Sequence, residues 1–225
     1  MEIMTGGKYM RSKLKVLLCG FVCAALFLGC GHDTKQITDE TVSESGGDAA
    51  ASKKERTETN FRKAAWGDST ELIRDIETAE ETSDSTDEMV TFNGEVCGYN
   101  DTVIGYMVDE EYGFYQGAYM FELPSRPSAT MYIEDYQKVK ENLVKVYGEP
   151  DYCEEPRVVN DLADYVNDAD HSLLMGYLGY VSEWDIPEKN TTIQLVLYGE
   201  SFKMNLLAVY SDTNYEDNRD YTEGL

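Results

Sequence analysis

Few side chains in this chain of 225 residues have the type and spacing to do chemistry. Of its two histidines, His32 falls in a polar stretch near the N-terminus, which leaves His171 for the region that reads as folded. A Ser-His-Asp relay drawn from Asp170, His171 and Ser172 fails on geometry in an extended segment, because neighbouring side chains on a strand point to opposite faces. Asp161, Asp164, Asp168 and Asp170 crowd one stretch and offer the hard oxygen ligands that calcium takes. They do not form an EF-hand, since Leu173 and Gly179 stand where that loop needs its glycine and its closing glutamate. A solvated acidic loop over 161–170 is the alternative. Glycine-rich phosphate loops and basic patches are absent, so the residues point to no catalytic centre, no cofactor and no nucleic-acid partner.

Cysteine gives the clearest chemical signal. Lys8, Arg11, Lys13 and Lys15 precede an apolar run from Val16 to Leu28, which ends in Gly29 and Cys30. That is the layout of a secretory signal, and the run is shorter than the roughly 20 apolar residues a spanning helix needs. Phe27-Leu28-Gly29-Cys30 resembles the bacterial lipobox, in which the cysteine becomes the first mature residue and carries a diacylglycerol thioether. The expectation is a signal peptide over 1–29, lipidation at Cys30, and attachment to the outer, extracytoplasmic face of the cell membrane. Each buried methylene of such an anchor contributes about 0.8 kcal/mol. With Cys19 and Cys23 inside the signal, Cys97 and Cys153 remain for the folded region. In an exported domain they could pair, which would contribute about 4 kcal/mol on a chain-entropy model. Each could equally be a small buried apolar side chain.

Charge narrows the partners. The chain has 19 Lys and Arg against 43 Asp and Glu, a net charge of −24. Removing the signal, which carries four basic residues and one acidic one, makes the remainder more negative still. Such a charge repels nucleic acid and anionic lipid, keeps a protein in solution, and can attract a basic partner.

The elements that would position any site follow from pattern. Residues 31–58 hold almost no large apolar side chain and read as a tether that cannot offset its ordering entropy. Folded sequence starts at Phe61 and Trp66, with Asp68 or Ser69 capping a short helix whose inner stripe is Leu72, Ile73 and Ile76. Three strands follow near 89–99, 102–109 and 113–123, with turns at Asn100-Asp101 and Glu110 to Gly113. A second helix runs through Ile133, Tyr136, Val139 and Leu143 and ends at Tyr147-Gly148-Glu149-Pro150. A strand at 152–159, a strand or helical turn within 173–184, and two strands around a turn at Gly199 to Ser201 complete a domain over 59–212. Residues 213–225 form an acidic tail. The expected fold is α+β: an antiparallel sheet of six to seven strands with two helices on one face, in the order α-β-β-β-α-β-β-β.

That sheet does not alternate as a half-covered sheet should. Strict alternation sets Tyr115, Gly117, Tyr119 and Phe121 on one face and Phe114, Gln116, Ala118 and Met120 on the other, both apolar. Ile104, Tyr106 and Val108 oppose Val103, Gly105 and Met107 in the same way. Tyr106, Tyr115, Tyr119 and Phe121 are therefore candidates for a partner-binding face, since tyrosine offers contact area with a polar tip at low entropic cost. The competing explanation is that the tether, the 151–170 segment or the tail covers the second face.

The order Phe61-Arg62-x-x-x-Trp66-Gly67-x-Ser69, then a capped helix, a strand meander, a helix ending Tyr147-Gly148-Glu149-Pro150, and Trp184 ahead of Thr192 to Leu197 resembles a group of small lipoproteins from Gram-positive gut anaerobes. Their fold is similar to that of β-lactamase inhibitor protein and the BamE-type assembly lipoproteins. The likeness spans about residues 60–212 and departs at Asp68 and Leu72, where an apolar and an acidic residue are expected. It implies a non-catalytic, membrane-tethered module that binds a protein partner, or an assembly factor of the cell envelope, and carries over no catalytic residue.

Overall fold

Serine 69, not Asp68, opens the first helix. In the computed structural model its hydroxyl accepts from the Leu72 amide at the head of α1 (Thr70–Ile76), and Ile73 is buried beneath it. The Asp68 carboxylate accepts from the Ala65 amide at 2.8 Å and tightens the preceding turn. The structure describes residues 58–159, 168–200 and 202–216, all within one compact unit, Lys54–Leu225. The signal segment, Cys30, almost all of the tether, most of the 161–170 acidic stretch and the tail beyond Glu216 lie outside the described residues.

After α1 come β1 (Glu80–Glu81), β2 (Met89–Val96), β3 (Tyr99–Asp109) and β4 (Gly113–Phe121). Helix α2 (Ala129–Tyr147) follows, and its C-terminal Gly148 takes φ 84° with its N–H on the Val144 carbonyl. The second half holds β5 (Tyr152–Val158), the short helix α3 (Ala169–Leu174), β6 (Leu178–Ile186), β7 (Thr191–Glu200) and β8 (Lys203–Asp212). All strands join one antiparallel sheet in the order β1-β2-β3-β4-β8-β7-β6-β5. Two four-stranded meanders thus meet at β4 and β8.

This corrects the expected architecture. The sheet has eight strands rather than six to seven, the chain is mostly β, and the order is α-β-β-β-β-α-β-α-β-β-β. The extra strand is Glu80–Glu81, which pairs with Asn93 and Phe92 despite the low strand preference of glutamate. The extra helix appears because Asp168 caps it, accepting from the Asp170 and His171 amides, so 169–186 divides into a helix and then a strand. The first hairpin turns at Cys97-Gly98 (φ 54° and 80°), three residues before the expected place. Two positive φ values are what a tight hairpin turn requires, and Asn100 and Asp101 continue the strand instead.

Register settles the faces. Tyr106 lies opposite Val90 and Gly117, Ile104 opposite Phe92 and Tyr119, and Ala208 opposite Tyr119 and Leu195. Between Met107 and Val108 the register slips, because Tyr115 is an extra residue in β4, and Val108 then meets Phe114. This bulge returns Phe114 to the face of Gly117, Tyr119 and Phe121, against the strict alternation read from sequence. Helix α2 packs on this face through Tyr136, whose ring meets Tyr180 and whose hydroxyl meets Ser182. Phe61 packs there too, against Tyr106, Phe114, Tyr119 and Tyr210. Trp66 lies on Phe114 and donates to Thr191 Oγ1 at 3.1 Å.

Candidate binding face

The tyrosines singled out in the sequence separate onto opposite sides. Tyr106 is 1% exposed and Phe121 5%, and both belong to the core under the helices. Tyr119 is half-buried against Phe61 and Tyr210 on that same face. None of the three can offer a partner a surface, because register sets them on the face that Phe61 and the helices cover. Only Tyr115 lies on the other side, stacked on Tyr215 at 4.1 Å between ring centres.

Two charged clusters lie beneath the helices. Arg62 donates to both carboxylate oxygens of Glu77, at 2.7 and 3.0 Å, and the Tyr106 hydroxyl donates to Glu77 at 2.6 Å. The Thr78 and Ala79 amides complete the shell around this carboxylate. Burial pushes the Glu77 pKa up, but the Arg62 and Tyr106 hydrogen bonds outweigh it and hold the group at about 2. In the second half, Glu155 Oε1 accepts from Tyr136, Lys140 and Ser182 at 2.7, 2.7 and 2.9 Å. Burial again opposes the charge, and these bonds, Lys140 first, bring Glu155 to about 2. These bonds tie α1 and α2 to the sheet, through Tyr106 in the first cluster and the fully buried Ser182 in the second. Neither cluster was legible in sequence, because Arg62–Glu77 and Lys140–Glu155 unite only in the fold.

The other predicted sites resolve as follows. Cys97 and Cys153 are both free thiols, which corrects the pairing considered for them. Cys97 occupies the β2–β3 turn, whereas Cys153 lies on edge strand β5 beside Lys140, whose Nζ is 3.3 Å from its sulfur. The Asp170 to Ser172 segment is helical rather than extended; His171 is exposed and Ser172 is buried, so no relay forms. Of the acidic stretch, Asp168 serves as a helix cap. Among the described residues no three metal-ligating side chains converge, and no helix is long and apolar enough to cross a membrane.

What the fold leaves is the sheet's second face. Register places Val103, Met107, Met120, Leu207 and Val209 there, all half-buried. Ala118, Val181 and Val196 lie among them, buried yet separate from the core cluster that the helices cover. They form an apolar band across a face that also carries Thr91, Asn93, Gln116, Gln194 and Ser211; a solvated sheet face is normally polar throughout, so this band is the feature in need of a function.

At one end of this face the β3–β4 hairpin and the start of the tail form a cavity of about 740 Å³ lined by Glu88, Asp109, Glu110, Glu111, Tyr112 and Tyr215 among others. Asp109 shapes the hairpin by accepting from the Glu111 and Tyr112 amides. Tyr215 donates to Asp109 and packs between Tyr112 and Tyr115. The Tyr112 hydroxyl donates to Asp212, and burial together with that carboxylate pushes its pKa up to about 12. Residues 213–216, expected to be mere tail, therefore complete this corner of the sheet.

Among the described residues the domain is mostly β, one eight-stranded antiparallel sheet with its helices on one side and an apolar band on the other. No family model, curated protein or solved structure matches the chain.

Proposed function

We propose that this chain is a lipid-anchored, extracytoplasmic binding module with no catalytic role, which engages a protein partner through the helix-free face of its sheet. The observation that carries the reading is the run of half-buried apolar side chains from Val103 through Met120 to Val209 on a face where a solvated sheet should be polar. The anchor rests on the basic, apolar and Gly29-Cys30 segments of the sequence. A rigid sheet suits recognition because its contact side chains are positioned before the partner arrives.

The test has two parts. Cys30→Ala should move the protein from the membrane to the soluble fraction. In detergent extracts, Met120→Arg/Val209→Arg should release the partner that the wild-type chain retains, at unchanged thermal stability. Membrane retention of Cys30→Ala, or partner retention by the arginine pair, would sink the corresponding half of the reading.

A further inference from the structure

The reading of the helix-free face as a docking surface leaves open what the partner must carry, and this inference rests on that reading. The geometry points to a partner that lays apolar side chains along Met107, Met120, Leu207 and Val209 and sets a lysine or arginine side chain into the tyrosine-walled acidic cavity at the β3–β4 hairpin.

Charge complementarity selects the cation. Glu88, Glu110, Glu111 and Glu216 rim the cavity, and no Lys, Arg or His is among the residues that line it. Strands β2, β3 and β4 place no basic side chain on the docking face, while β3 adds Asp101 and Asp109. A cleft lined by one sign of charge concentrates counter-ions of the other and speeds their association. The walls select an organic cation. Tyr215 is held between Tyr112 and Tyr115, and both its own hydroxyl and that of Tyr112 are tied to aspartates, so the rings are fixed before binding. Tyr115 stacks on one face of Tyr215, and Tyr112, 37% exposed, offers its ring to an ammonium or guanidinium group and a surface to the aliphatic stem. A bare divalent ion would need converging carboxylates, and the described residues supply no such group of three. The net charge of −24 sets the chain against a second copy of itself, a nucleic acid or an anionic membrane on this face.

The test is selection of a random linear peptide library on the full chain in detergent micelles, run in parallel on wild type, on Glu110→Lys/Glu111→Lys, and on Met120→Arg/Val209→Arg. Glu110 and Glu111 are exposed turn residues, so their reversal leaves the fold intact; if the arginine pair lowers the melting temperature, Leu207→Gln replaces it. The expected binders combine Lys or Arg with apolar residues, weaken with salt, and lose at least about tenfold in affinity on both variants. Binders that lack basic residues, lose affinity on the arginine pair and keep it on the glutamate reversal would overturn the cation site while leaving the docking face standing. Basic binders indifferent to both variants reflect bulk charge and overturn the proposal. Failure to enrich any peptide would overturn both readings.

Discussion

The ring of Phe61 rests on the backbone of Gly117: a Cβ added at Gly117 would come within 2.4 Å of that ring. Phe61 in turn is enclosed by Tyr106, Phe114, Tyr119 and Tyr210, so it has no room to retreat. The segment before α1 is thereby locked onto the middle of the sheet. Gly117→Ala should destabilise the domain by about 2 kcal/mol through overpacking. In a double-mutant cycle, Phe61→Leu/Gly117→Ala should cost less than the two single changes together. Additive costs in chemical denaturation would show that the two residues do not meet.

Acid should unfold the domain by way of two carboxylates. Glu77 and Glu155 sit near pKa 2 in the folded state against an ordinary value of 4.5. Depressed folded values make their stabilisation complete above the ordinary value and lost as the pH falls from there towards about 2. Each contributes on the order of 3 kcal/mol at neutral pH. Urea midpoints should therefore fall steeply between pH 5 and pH 2 (about the span of these titrations), and Glu77→Gln/Glu155→Gln should flatten that dependence. An unchanged pH profile in the double variant would contradict this.

Breaking one partner of the first cluster isolates its structural weight. Arg62→Ala leaves the Glu77 carboxylate, whose side chain is 1% exposed, with Tyr106 and two amides as its remaining donors. A loss of about 3 kcal/mol is expected, while Arg62→Ala in a Glu77→Gln background should cost clearly less. Equal losses in both backgrounds would mean that the arginine contributes by packing alone.

The two folded-region thiols should react as separate groups. Cys153 is exposed on β5, whereas Cys97 is half-buried and its pKa is raised, burial outweighing the nearby Lys138 and Lys145. Thiol labelling at pH 8 should give a fast phase that Cys153→Ser removes and a slower one that Cys97→Ser removes. Non-reducing mass analysis of labelled protein that carries neither modification would reveal a disulfide and contradict the structure.

Much of this fold was legible wherever a single element decides its own pattern. The spacing of Tyr136, Val139 and Leu143 places α2, and Gly148 with Pro150 ends it. The alternation of Met204, Leu206, Ala208 and Tyr210 places β8. What sequence hid depends on partners far along the chain. Glu80–Glu81 becomes a strand only because Phe92 and Asn93 offer it an edge, and Asp168 looks like one acidic residue among several until its carboxylate meets two amides. The binding face was misread through one residue. Tyr115 bulges from β4, and that extra position reverses the side on which Phe114 falls relative to Gln116. The absence of polar alternation was nevertheless a sound signal, since it came from a sheet with apolar residues on both faces. Tyr215, placed in an acidic tail by composition, carried no local pattern that tied it to Tyr115.

The central claim, that the helix-free face meets the partner, is tested most directly by a photo-activated cross-linking residue introduced in the living cell at Leu207 on that face or at Val146, 70% exposed on α2. The account predicts a discrete cross-linked species from Leu207 and none from Val146. A discrete species from Val146 with none from Leu207 would place recognition on the helical side and contradict it.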